Sequence, residues 1–297
     1  ANEYANVLVD YSGAVKITHS LFTMSATFGL DVAADGEIQD FSANTFESDA
    51  GINIPANLIG VLDYESSYIG SDGTGTISVF SGDVSNAQSW PGVDAPYIVD
   101  GFIDIKEEVI VKPGATFKFN QNARLDIEGN GSLSAIGTAD SLIKFLGSQE
   151  IPGQWGGIRF KTKNSANELT YTEISHGGAN EYANVLVDYN GAVKITNCAL
   201  KSSQTYGLEV KPDGELSNFS NNTISSDAIT SIPAYLIGKL DENSDFEPGG
   251  YISVNGTDVE TDQTWISTNV PYIIEGTVDI LADITINPGA IFEFASS

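Results

Sequence analysis

The chain has 297 residues, with 13 Lys and Arg against 40 Asp and Glu, a formal net charge of −27 and a pI near 4.1. So acidic a surface repels phosphate backbones and anionic lipid headgroups, which excludes nucleic-acid and peripheral-membrane roles, and no apolar run reaches the roughly 18–20 residues of a membrane span. Apolar residues at 41% exclude a disordered acidic tail, while 30 glycines, a single Met and abundant Val, Ile, Thr, Phe and Tyr point to strands joined by many turns.

In chain order the apolar period is two. Val7, Val9 and Tyr11 alternate with other residues, as do Val15 and Ile17, then Leu30 and Val32, Phe117 and Phe119, and Leu125 and Ile127. Gly, Asn or Asp separates the runs, and no stretch offers a helix of ten or more residues. Short strands at roughly 8–12-residue spacing fit a sandwich, a barrel or a solenoid.

An internal repeat decides among these. Ala1–Tyr11 recurs letter for letter at Ala179–Tyr189, and 41 of the 66 positions in 1–66 are identical in 179–244. After a three-residue deletion, 77–122 matches 252–297 at 18 of 46 positions, so 1–122 is similar to 179–297 and 123–178 occurs once. A tandem repeat of this kind favours a solenoid, in which each coil covers the hydrogen-bonding edge of the next. One continuous solenoid over 1–297 is expected. Its phase implies the back part of a module in 1–95, a complete module in 96–270 and the start of another in 271–297. The chain reads as a window from a longer array, with flanking modules as its first partners.

Several motifs carry a family resemblance. Pro113-Gly114-Ala115 stands before Phe117-Lys118-Phe119, and Gly131-Ser132-Leu133 opens a similar run ending at Asp140. Ile143-Lys144-Phe145 is followed by Pro152-Gly153-Gln154-Trp155-Gly156-Gly157-Ile158-Arg159-Phe160, and His176-Gly177-Gly178 follows Tyr171–Ile174. Together these resemble the repeats of bacterial right-handed parallel β-helix proteins of the pectate-lyase-like superfamily, of the non-enzymatic type. The resemblance implies an all-β right-handed parallel β-helix, secreted or displayed on the outer cell surface. At about 22 residues per coil it implies about 13 coils and a rod near 60 Å long.

Candidate chemistry is sparse. A polysaccharide lyase needs acidic calcium ligands beside a basic group, yet Arg124 and Arg159 are the only arginines and both lie in the single-copy segment. Asp31, Asp35 and Glu37, matched by Glu209, Asp213 and Glu215, could pair for glycoside hydrolysis but read as solvated turn carboxylates. His19 corresponds to Asn197, so a duplicated histidine site is excluded; His176 reads as a coil corner. Cys198, the lone cysteine, permits no intrachain disulfide and reads as a small buried residue. Asp241, Asn243, Asp245 and Glu247 place oxygen ligands at alternate positions, a candidate calcium turn, although no cofactor is required. Tyr4, Tyr11, Tyr64, Tyr68, Tyr97, Trp90 and Trp155 could stack sugars or pack corners. The expectation is a structural and adhesive repeat module forming a stiff acidic rod, leaning away from catalysis. A polysaccharide or another cell surface is its candidate partner. The alternatives are a polysaccharide-binding module and, behind it, a lyase or glycoside hydrolase on the same scaffold.

Overall fold

The computed structural model describes residues 5–225 and 229–295, so Tyr4 lies outside the described residues. The chain winds into a parallel β-solenoid of about 12 turns, all-β among the described residues apart from three short 3₁₀ segments, Ala56–Val61, Ala179–Glu181 and Ala234–Lys239. Among the described residues the named strands pair in parallel, as stacked coils require, and at the usual strand spacing the rod is about 60 Å long. Among the described residues no helix is long and apolar enough to cross a membrane.

Each coil has three faces. On the first, Val7 pairs with Leu30, Leu30 with Ile52, Ile52 with Ile77 and Ile77 with Tyr97. The strand Tyr97–Ile105 then turns the corner onto the second face, where Ile103 pairs with Leu125, Leu125 with Ile158 and Ile158 with Val185. Gly101 makes that corner at φ +87°, a left-handed conformation that a side chain would strain. The third face is a six-stranded sheet running from Gln88–Trp90 to Glu215–Ser220.

The two copies have the same local fold. Val7 pairs with Leu30 as Val185 pairs with Leu208, and the register shift after Val15 reappears after Val193. Inward residues match as well: Val9, Ile17, Leu30, Val32 and Phe41 are buried, as are Val187, Ile195, Leu208, Val210 and Phe219. The copies are nevertheless out of rotational phase. From Val7 the first face runs seven rungs, through Phe117 and Phe145, to Ile174, whereas Val185 lies at that height on the second face. The repeat therefore spans seven coils and one further face. Each copy presents its surface turned by a third of a revolution and displaced by about 35 Å along the axis.

Two ladders hold the coils together. Core aromatics stack rung over rung, with Tyr97 to Phe117 at 4.7 Å, Phe117 to Phe145 at 5.3 Å and Phe119 to Trp155 at 4.0 Å between centroids. Buried asparagines stitch the bends. Asn44 donates from Nδ2 to Ile17 O at 3.0 Å and accepts from Ser20 N at 3.0 Å. Asn222 does the same with Ile195 O and Cys198 N. Within Trp155-Gly156-Gly157-Ile158, Gly157 sits at φ +88°, and a Cβ there would stand 1.9 Å from Ala183 O. The Trp155 indole donates to Ser175 O at 2.8 Å from inside the core. The motif is thus a contact between successive coils.

Candidate functional site

In parallel stacking, residues that share a register position form columns up the outside of the rod. On the second face Phe102 lies in register with Arg124, and Asp104 with Asp126, Arg159 and Leu186 in turn. Arg124, Asp126, Arg159 and Lys161 come from the single-copy segment, while Tyr182, Asp188 and Tyr189 come from the second repeat copy. The coils bring them into one patch.

Its framework is an alternation of rings and guanidinium groups. The Arg124 guanidinium carbon lies 4.5 Å from the Phe102 centroid and 5.1 Å from that of Tyr182. That of Arg159 lies 5.4 Å from Tyr182 and 4.9 Å from Tyr189. Each arginine is also fixed by a carboxylate. Arg124 Nε donates to Asp126 Oδ1 at 2.6 Å and Nη1 to the Tyr182 hydroxyl at 3.2 Å. Arg159 binds Asp188 through Nε, at 3.1 and 2.9 Å to the two oxygens, and through Nη2. Lys161 Nζ bridges Asp126 Oδ2 at 2.6 Å and Glu128 Oε2 at 3.1 Å.

Carboxylate oxygens of Asp104, Asp126 and Glu128 lie within 4.8 Å of one another, the one such group of three His, Cys, Asp or Glu among the described residues. Burial, then the charges of Glu128, Asp126 and Asp83, push the Asp104 acid above its ordinary range against the pull of Lys161. Burial pulls the Lys161 ammonium down, but the hydrogen bond and charge of Asp126 outweigh it and hold the group above its ordinary value. Arg159 is held up against burial in the same way by Asp188. The aromatic ends of the patch face water: Phe102 is 50% exposed and Tyr189 65%. Beside them Lys161, Asn164, Tyr189 and Asn190 border an open depression of about 560 Å³. The arrangement can present flat apolar ring faces next to fixed polar groups whose charges are already matched.

The residues singled out in sequence sit elsewhere. Asp31 accepts from Asn53 Nδ2 at 2.8 Å. Asp35 and Asp213 brace the turn of the preceding coil, through Ser12 and Asn190 respectively. Glu209 is paired with Lys211, while Glu37 and Glu215 are exposed. Asp241 accepts from Asn221 N at 3.0 Å, Asn243 N at 3.3 Å and the Ser244 hydroxyl, the same turn-bracing role that Asp63 fills in the first copy through Glu65 N, Ser66 N and the Ser66 hydroxyl. Asp245 Oδ1 accepts from Asn269 at 2.7 Å, Asn243 is exposed, and the Glu247 carbonyl closes a turn with Gly250 N. His19 and His176 both occupy left-handed corners, with His176 lowered in pKa by burial despite Glu150 and Glu173. Cys198 is buried, which pushes its thiol up to about 12. Of the aromatics, Tyr68, Tyr97, Trp90 and Trp155 are in the core, whereas Tyr11 and Tyr64 are exposed.

Phe102, Asp104, Lys161, Asp188 and Tyr189 escape a reading of the sequence as a site. The available signal is the single-copy segment itself, which holds both arginines. No known family model, curated protein or solved structure matches the chain.

Proposed function

We propose that this chain is a structural and adhesive segment of a secreted or cell-surface bacterial protein of the pectate-lyase-like β-helix type, a stiff acidic rod rather than an enzyme. The observation that supports this reading is the phase of the repeat. Two near-copies of one surface ride on one rigid scaffold, about 35 Å apart along the axis and turned by one face. Multiplying a surface along a rod strengthens weak contacts through effective concentration, without any new contact. Flanking modules would extend the same ladder, and a polysaccharide or another cell surface would be the partner. With 40 acids to 13 bases, the rod gathers a cation atmosphere in which calcium is one component.

The test is retention under flow. Beads coated with the intact chain should hold to bacterial cell walls or immobilised polysaccharide, and the soluble chain should release neither reducing ends nor unsaturated products from pectin, alginate or neutral glycans. Product release at a rate above that of a heat-denatured sample would overturn the reading.

A further inference from the structure

We infer that the row Phe102–Arg124–Tyr182–Arg159–Tyr189 is a binding site for a neutral glycan chain lying obliquely across the second face. The inference rests on the adhesive reading and adds to the repeated surface a site that is built once, from the single-copy segment, with a named ligand class. Four features of the patch carry it.

First, the rings are presented rather than packed away. Phe102 and Tyr189 close the two ends of the row at 50% and 65% exposure, separated by three rungs, about 14 Å of axial rise, and by a shift across the face, since Asn184 and not Tyr189 continues the register of Phe102. One face of Phe102 and one of Tyr189 carry a guanidinium, and the opposite face of each is left for an apolar sugar face. Second, the rings are pre-ordered. The guanidinium of Arg124 lies between Phe102 and Tyr182, and that of Arg159 between Tyr182 and Tyr189, so little side-chain entropy is left to lose on binding.

Third, the patch is charge-matched in a strongly acidic chain. Arg124, Arg159 and Lys161 are each already paired with Asp126, Asp188 or Glu128. A uronate, sulfate or phosphate would have to displace one of those carboxylates, and an organic cation would have to displace one of the bases. A neutral polyol needs neither exchange. Fourth, polar capacity remains. Arg124 Nη2 and Arg159 Nη1 have no protein acceptor among the described residues, and Asp104, raised in pKa, stands in register with Asp126 and Arg159. Hydroxyl groups can accept from the first two and share a hydrogen bond with the third.

The repeat supplies an internal control. Tyr11 and Asp10 occupy the positions of Tyr189 and Asp188 in the first copy, but no arginine reaches them, and Tyr11 is 91% exposed. At the other end, Thr277 replaces Phe102 in the second copy.

The intact chain should be screened against an array of neutral, uronate-containing and sulfated oligosaccharides, with affinities then measured by calorimetry on the neutral glycan that binds best. Phe102→Ala and Tyr189→Ala should each weaken that binding by about tenfold, whereas Tyr11→Ala should leave it unchanged. All three side chains are exposed, and an unchanged melting temperature and far-UV spectrum will certify the fold. Binding confined to anionic glycans would overturn the inference, as would equal sensitivity to Tyr11→Ala or no binding to any neutral glycan. If the coated beads still adhere in that last case, the adhesive reading stands and the assignment of this row falls.

Discussion

Replacing Asn222 by Ala removes one rung of the polar ladder and nothing from the apolar core. The side chain is 1% exposed and makes two hydrogen bonds, to Ile195 O and from Cys198 N, each 3.0 Å long. Alanine cannot replace either, so a buried carbonyl and a buried amide lose their side-chain partner. At about 1–3 kcal/mol for each orphaned group, the loss should be about 2–6 kcal/mol. In a chain of this length that lowers the melting temperature by about 3–10 °C. Asn44→Ala should cost less, because its acceptor oxygen serves Ser20 N at a half-buried site rather than a buried one. The two sites stand about 35 Å apart with no shared partner, so the double variant should be additive. Urea unfolding followed by circular dichroism would give both values. A loss below about 1 kcal/mol for Asn222→Ala, with cooperativity unchanged, would refute the claim that the asparagine rungs hold the coils in register.

Four further outcomes are expected. Gly157→Ala should destabilise the chain by at least about 1–3 kcal/mol from backbone strain alone, with the clash against Ala183 O added; thermal unfolding checks it. Asp104→Asn should raise the melting temperature at pH 7, because the folded state holds this acid above its unfolded value and ionisation therefore costs stability. That advantage should shrink as pH falls through the folded pKa and vanish below the unfolded one, and an advantage constant from pH 7 to 3 would contradict it. His176 is lowered in pKa in the folded state, so its contribution is complete above its unfolded value of 6.5 and is lost as pH falls toward the folded one. His176→Asn, which tolerates the left-handed corner, should flatten that part of the melting-temperature profile. The melting temperature should also rise with NaCl as the screening length shrinks from about 30 Å at 0.01 M to about 8 Å at 0.15 M. A further rise with millimolar calcium, abolished by Asp245→Asn, would place the ion at the Asp241–Glu247 turn, and no further rise would remove calcium from that turn.

The fold was legible because its determinants are local. Alternation such as Val7, Val9 and Leu30, Val32 marks strands with one face inward, and the repeat of 1–66 in 179–244 marks a stack. The bend asparagines Asn44 and Asn222 hold equivalent positions in the two copies. The rotational phase was not, since it depends on coil lengths that no motif announces. Leu125 to Ile158 takes 33 residues in one turn, while Tyr97 to Phe117 takes 20. The candidate site stayed hidden for the same reason. Arg124, Arg159 and Tyr189 are far apart in sequence and converge only once each coil's length sets which residues share a rung. Asp241 and its neighbours drew attention through composition alone, and Asp241 spends its oxygens on its own turn and on Asn221.

The most direct test of the seven-coil-and-one-face repeat is a distance measurement by pulsed electron paramagnetic resonance between spin labels at Tyr11→Cys and Tyr189→Cys. Both positions are exposed, while Cys198 at 2% exposure stays unlabelled. One continuous rod predicts a single narrow distribution centred no shorter than about 35 Å. A broad distribution, or a centre below about 30 Å as two copies packed side by side would give, would contradict it.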